Sequence, residues 1–326
     1  MGIDREEPMN SSRKVRAARL KEHGKPLVVK EVELPEPGED EVLVELQYSS
    51  VNPIDRYVAE GLVAADRFIP RTLGAEASGM LDGQPVLVAG LGLGTMRDGV
   101  WAEAAVVPRG AVVPLPDGAD PQDAAVMGIA GLTAWEVVHD FGRVTAEDRV
   151  LVLGASGGVG TMIVSIAKAA GATVWGQTGS PDKIDVVEEM GADRAFVAGP
   201  EELTAALDGF EPTVACDPLG DDFLRPLVET LAVQGRIVNF GTSAGAEVQF
   251  NLQSLYRKGI SLLGYGGGQL ASEQRHAALE RALQALADGT LRVHIDDVLA
   301  LDEINEALER LADREVKGKL IIDLRR

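Results

Sequence analysis

The 326 residues are 45% hydrophobic and 25% charged, with a formal net charge of -20, which is enough chain for two domains with full cores. That negative field argues against nucleic acid or an anionic membrane as a partner. The single cysteine, Cys216, excludes an intrachain disulfide and a cysteine-cluster zinc site. No apolar run is long enough for a membrane span, and Met1 to Lys14 lacks a signal-peptide pattern. A soluble, cytoplasmic protein is expected.

Residues 1–14 read as a flexible tail. From Val15 to about Pro116 short apolar–polar alternations, such as Glu41-Val-Leu-Val-Glu-Leu, are punctuated by Gly and Pro, the pattern of a compact β unit. From Arg149 strands alternate with helix-length segments, which predicts a parallel sheet covered by helices on both faces. Its first unit is strand Val150 to Leu153, a turn from Gly154 to Gly160, a helix to about Ala170 and a strand from Thr173 to Gly176, a βαβ crossover. Further strands are expected at 195–198, 214–217, 236–241 and 260–263. Two amphipathic helices close the chain, one carrying Leu279, Leu283 and Leu286, the other Ile304, Leu308 and Leu311.

The turn Ala155-Ser-Gly-Gly-Val-Gly160 matches G-x-G-x-x-G with Ala in the first place. Gly157 would let backbone approach a pyrophosphate, and Gly160 would let helix pack on strand. Ser156, Gly157, Gly158, Val159 and Gly160 are the expected phosphate contacts, since amides at a helix N-terminus hold anions even in an acidic protein. About 20 residues on, NAD-binding folds place a carboxylate for the ribose 2′-hydroxyl. Here Trp175-Gly-Gln-Thr-Gly-Ser-Pro-Asp-Lys183 offers Thr178, Ser180 and Lys183 instead, groups suited to the 2′-phosphate of NADPH. Ser180 also suits a helix N-cap before Pro181, and Lys183 a solvated surface charge; Asp182 stands against the phosphate reading.

With these residues placed, the chain resembles the medium-chain dehydrogenase/reductase superfamily, in particular its zinc-free, zeta-crystallin-like quinone oxidoreductases. Val51-Asn-Pro-Ile-Asp-Arg-Tyr57, Leu73-Gly-Ala-Glu-Ala-Ser-Gly79, Gly131-Leu-Thr-Ala-Trp135 and Gly235-Arg-Ile-Val-Asn-Phe-Gly241 carry the likeness. It implies an α/β protein: a Rossmann doubly wound parallel sheet domain (125–264) plus a GroES-like β domain (15–124 and 265–326), with the cofactor between them. Thr133 and the segment Asn239, Phe240, Gly241 would flank the nicotinamide. Tyr57 would contact substrate or donate a proton, or only pack the wall, while Asn52 would position the nicotinamide or the substrate oxygen. A homodimer paired through the strand from Ile260 is also implied.

Zinc-dependent relatives need three protein ligands and an open position. In this chain the corresponding cysteine positions hold Asn52 and Ile129, and the histidine position holds Ala75; Glu76 alone remains. His23, His139, His276 and His294 lie outside these motifs, so no catalytic metal is expected. Reduction of quinones or related electrophilic carbonyls and alkenes by NADPH is the leading reading. The stretch Leu91-Gly-Leu-Gly-Thr-Met-Arg-Asp-Gly99 resembles the acryloyl-CoA reductases, and Arg56, Arg67, Arg71 and Arg97 would form a CoA phosphate pocket if folding joined them. A non-enzymatic NADPH-binding, crystallin-like role is the third reading.

Overall fold

The computed structural model describes residues 13–63, 69–269 and 271–326. Most of the expected tail, residues 1–12, lies outside them, and the first strand already begins at Lys14. Among the described residues eight strands build the first domain's N-terminal part: β1 (Lys14–Leu20), β2 (Val28–Glu33), β3 (Glu41–Ser50), β4 (Arg71–Thr72), β5 (Glu76–Leu81), β6 (Gln84–Ala89), β7 (Ala104–Pro108) and β8 (Val112–Pro114). In β3 the alternation sends Val42, Val44 and Leu46 inward, as a period of two dictates. These side chains share a core with Val86, Val88, Val107 and Trp101.

The second domain holds β9 (Arg149–Val152), β10 (Thr173–Thr178), β11 (Arg194–Val197), β12 (Val214–Asp217), β13 (Arg236–Asn239) and β14 (Ser261–Gly264). They run parallel in the order β11-β10-β9-β12-β13-β14. Central strand β9 is apolar on both sides because both faces are covered. Val150 and Val152 enter one core, with Val174 and Val214; Leu151 enters the other, with Ala215, Leu203 and Leu227.

After β14 the chain leaves the parallel sheet. The Ser272–Ala287 helix buries Leu279 and Leu283 in a core that holds Val150 and Val174 of the parallel sheet together with Leu87 and Val113 of the β unit, so it packs between the two. An amphipathic stripe shows that a helix must pack, but not on which domain. Further on, β15 (Ile295–Ala300) and β16 (Lys319–Asp323), parallel to each other, rejoin the β domain's sheet through the antiparallel β16–β3 pair, in the order β15-β16-β3-β5-β6-β8 with β7 also on β3. The Ile304–Ala312 helix lies over that domain's core, with Ile304 buried and Leu308 and Leu311 packed beside it. Among the described residues no helix is long and apolar enough to cross a membrane.

Candidate active site

The end of β3 feeds the short Pro53–Ala59 helix. Asn52 occupies its N-cap with Pro53 at the first helical position, and the Asn52 amide N–H donates to Asp55 Oδ2 at 2.9 Å, half of a capping box. Beside it runs β16, antiparallel, with Ile321 opposite Ser50. Two residues further along that register Lys319 meets Asn52. Lys319 Nζ donates to Asn52 Oδ1 at 2.7 Å and to the Val51 carbonyl at 2.9 Å.

Asn52 Nδ2 in turn donates to Glu76 Oε1 at 2.8 Å and to Ser50 Oγ at 3.0 Å. Ser50 Oγ donates to the same Glu76 oxygen at 2.5 Å, and the Ile129 amide N–H reaches Glu76 Oε2 at 2.8 Å. Gly128 permits that approach, since a Cβ there would stand 2.3 Å from Ala89 Cβ. Asn52, Asp55, Glu76 and Lys319 are all buried. Both amide hydrogens of Asn52 are therefore committed inside the protein, and none is left for a substrate oxygen in this arrangement. The uncommitted donor of the cluster, among the described residues, is the third N–H of Lys319.

A buried cluster of this kind shifts its own titrations. Burial pushes the Asp55 carboxyl up to about 7, against the opposing pull of its bond from Asn52. Burial likewise lowers Lys319, while Glu76 and Asp55 hold it up. Each charge is tolerable because the others are near.

Around Glu76, the positions that would complete a zinc set carry an amide and two apolar side chains, Asn52, Ala75 and Ile129. Among the described residues no group of three or more His, Cys, Asp or Glu side chains is arranged to hold a metal. The histidines are used elsewhere: His23 Nδ1 lies 3.0 Å from the Val58 carbonyl, His139 packs on Trp135 and His276 lies beside Glu280.

The glycine turn follows β9 as expected. Gly154 is left-handed at φ +57°, and Gly157 is the N-cap of the Gly158–Ala169 helix with no side chain capping it. That leaves the first-turn amides for an anion. A Cβ on Gly160 would stand 2.3 Å from the Gly154 carbonyl oxygen, and one on Gly158 would strike Lys319 Cδ at 2.5 Å. The turn fits a dinucleotide pyrophosphate, and Gly158 is needed as much for the lysine as for a phosphate. Val159 is partly buried against the core.

Ser156 and Thr178 share a hydrogen bond of 2.9 Å between their hydroxyls, both side chains being buried. The Thr178 hydroxyl is thus tied to the glycine turn. Ser180 sits in the N-cap position before Pro181, yet makes no capping bond. Lys183 donates through Nζ to the carbonyls of Arg314 and Val316. Asn239 Nδ2 is shared among Gly241 O at 3.0 Å, Asp217 Oδ2 at 3.1 Å and Asp217 O at 3.3 Å, which fixes the turn through half-buried Phe240. Tyr57, half-buried, lies under the Arg56 guanidinium at 5.3 Å. Thr133, half-buried, sits in the Leu132–Glu136 helix between two π-helical turns, Met127–Gly131 and Val137–Phe141, a distortion frequent at functional sites.

Three residues escaped the sequence reading. Lys319 opens a buried apolar strand, and a lysine in that setting was the available signal. Gln177 accepts from the Gly154 N–H at 3.0 Å and donates to Ala198 O at 2.7 Å, stitching the glycine turn to β11. The Tyr265 hydroxyl faces Thr133 but is buried without a hydrogen bond of good geometry; nothing local in the sequence marks it.

A six-stranded parallel sheet with an uncapped glycine turn, set against a buried polar cluster on a β domain, defines an oxidoreductase of the two-domain, dinucleotide-cleft class. The family model described as zinc-binding dehydrogenase matches residues 158–288. The Bacillus subtilis protein YhfP, whose name describes a quinone oxidoreductase, is 30% identical over 91% of this chain and 94% of its own. Its crystal structure with NAD bound covers 96% of this chain and 100% of that one, at a TM-score of 0.83. The quinone oxidoreductase of Thermus thermophilus, solved also with NADPH, covers 95% and 100% at 27% identity and a TM-score of 0.81. A cobalt- and zinc-bound alcohol dehydrogenase from Pyrobaculum aerophilum is as similar, at 28% identity and a TM-score of 0.83 over 95% and 100%. The chain belongs to the medium-chain dehydrogenase/reductase superfamily, among its quinone-oxidoreductase-like members.

Proposed function

We propose that this protein is a cytoplasmic, zinc-free, NADPH-dependent reductase of quinones or related electrophilic carbonyls and alkenes. The observation that carries the reading is the closure of the Glu76 cluster: Ser50, Asn52 and the Ile129 amide satisfy the carboxylate, and Lys319 supplies positive charge. A bound nicotinamide would supply the hydride. This chain's residues would do the rest. Glycine-turn amides hold the pyrophosphate, and Thr133 with the 239–241 turn bounds the nicotinamide. The spare Lys319 N–H and the Tyr57 phenol are the donors offered to a substrate oxygen. A quinone or activated alkene suits so modest a donor set, because hydride addition gives it a delocalised anion.

The preference for NADPH rests on the end of β10, where Ser180 and Lys183 stand in place of a carboxylate. Relatives bind NAD in one case and NADPH in another, so the choice belongs to each chain's own residues. A CoA thioester is disfavoured because the arginines are committed separately: Arg56 to Glu60, Arg97 to Glu41, and buried Arg71 to the Thr95 carbonyl. Arg67 lies outside the described residues.

Turnover of NADPH with a panel of quinones against a panel of enoyl thioesters, with metal analysis of the same sample, tests the proposal. Quinone turnover without stoichiometric zinc is expected. Faster thioester reduction would replace the substrate class, and no turnover of either would favour the crystallin-like binding role.

We further propose a homodimer joined along β14. Among the described residues this strand pairs only with β13, and Leu262, Leu252, Tyr256 and Val233 are exposed on this part of the domain, an unpaired edge of the kind that invites a copy. Sedimentation at micromolar concentration should give twice the chain mass; a monomer would remove this part.

A further inference from the structure

The loop between the Ile304–Ala312 helix and β16 belongs to the β domain by sequence but is held on the Rossmann domain. Gly318, left-handed at φ +74°, donates its N–H to the Ser156 carbonyl at 2.8 Å and bridges to Gly157. A Cβ there would lie 2.2 Å from the His294 carbonyl, so only glycine permits the approach. Further back, the carbonyls of Arg314 and Val316 receive Lys183 Nζ. Arg314, left-handed at φ +58°, donates through Nη2 to Ser243 O at 2.8 Å. Lys317 Nζ donates to the Asp182 carbonyl at 2.7 Å and lies 3.5 Å from its carboxylate.

In a protein of net charge -20, Lys183 and Lys317 thus lie where this loop crosses the segment after β10, and Arg314 reaches from the same loop to the turn after β13. The Asp182 carboxylate lies beside Lys317, and Ser180 and Lys317 hold it below the usual carboxylate range. Asp185, Asp313 and Glu315 are nearby in the chain and exposed. Asp182, the residue that stood against a phosphate, is paired with Lys317 at 3.5 Å. Lys183 keeps one N–H and Arg314 most of its guanidinium donors uncommitted among the described residues.

We propose that Arg314 and Lys317 form the far wall of a phosphate site whose near wall is Ser180 and Lys183, so that a loop of one domain reads the 2′-phosphate of a cofactor lying on the other. The inference rests on the NADPH reading and adds to it two selecting residues from outside the Rossmann domain.

The test is calorimetric titration of the full-length protein with adenosine 2′,5′-bisphosphate and, separately, with AMP. Lys317→Ala should weaken the bisphosphate about ten-fold, and Lys317→Ala with Arg314→Ala about a hundred-fold, with AMP unchanged, as loss of charge-assisted bonds implies. Lys317→Arg should restore most of the affinity. If the double variant keeps the wild-type preference for the bisphosphate, the loop does not read phosphate and the inference fails while the NADPH reading stands. Equal loss of both ligands overturns it as well, since the loop would then only brace the glycine turn through Gly318. A wild-type protein that does not discriminate the two ligands overturns the NADPH reading itself, and this inference with it.

Discussion

The glycine turn and the Glu76–Asn52–Lys319 cluster are pinned together, with Gly158 against Lys319 and Gly157 bridged to Gly318, yet they are built on opposite principles. The turn works through backbone: amides left without a capping side chain, and close approaches that only glycine allows. The cluster works through side chains drawn from β3, β5 and β16, whose hydrogen bonds satisfy one another. A backbone site tolerates changes of side-chain chemistry but not of volume. A buried side-chain network has the reverse sensitivity.

Lys319→Met is the sharpest way to break that comparison. Methionine fills nearly the same space but removes the cation, leaving Asn52 Oδ1 and the Val51 carbonyl without their donor and two buried carboxyls uncompensated. Loss of one member of a buried charged network costs about 3 to 5 kcal/mol, to be read as a drop in the chemical denaturation midpoint. Gly160→Ala should cost less, about 1 to 3 kcal/mol from overpacking against the Gly154 carbonyl, but should weaken AMP binding in the variant that remains folded. If Lys319→Met proves neutral and Gly160→Ala does not, the cluster is ordinary packing.

The difference between the regions also explains what the sequence disclosed. The turn is contiguous, so Gly157 and Gly160 could be assigned from spacing and from the strand and helix on either side. The parallel sheet was equally legible because β9, β10 and β12 are short apolar runs with helix-length intervals. Asn52 and Glu76 were found through motif likeness, but the direction of the Asn52 amide was not. It depends on Lys319, some 270 residues away in the chain, and on a β3–β16 register that no local pattern reports. The Thr178 hydroxyl was likewise out of reach of local pattern: its partner is Ser156 across the turn. The Ser272–Ala287 helix was legible as amphipathic, but its place between the parallel sheet and the β unit is a tertiary fact.

The smallest expected effect sharpens the electrostatics of the cluster. Asp55 is raised from an ordinary carboxylate value to about 7 by burial, so between about pH 4 and 7 the folded chain binds a proton that the unfolded chain releases. Stability from this group is therefore present at low pH, falls as pH rises through that window, and its burial cost is fully felt above 7. Asp55→Asn removes the titration while its side-chain oxygen can still accept the Asn52 N–H, and its new NH2 needs a buried acceptor that offsets part of the gain. Thermal melting should place the variant about 2 to 4 °C above wild type at pH 8.5 and level with or below it at pH 5. A variant less stable by the same amount at both pH values would mean that Asp55 is ionised throughout, held so by Lys319, and that the positive charge of the cluster serves Asp55 as much as Glu76.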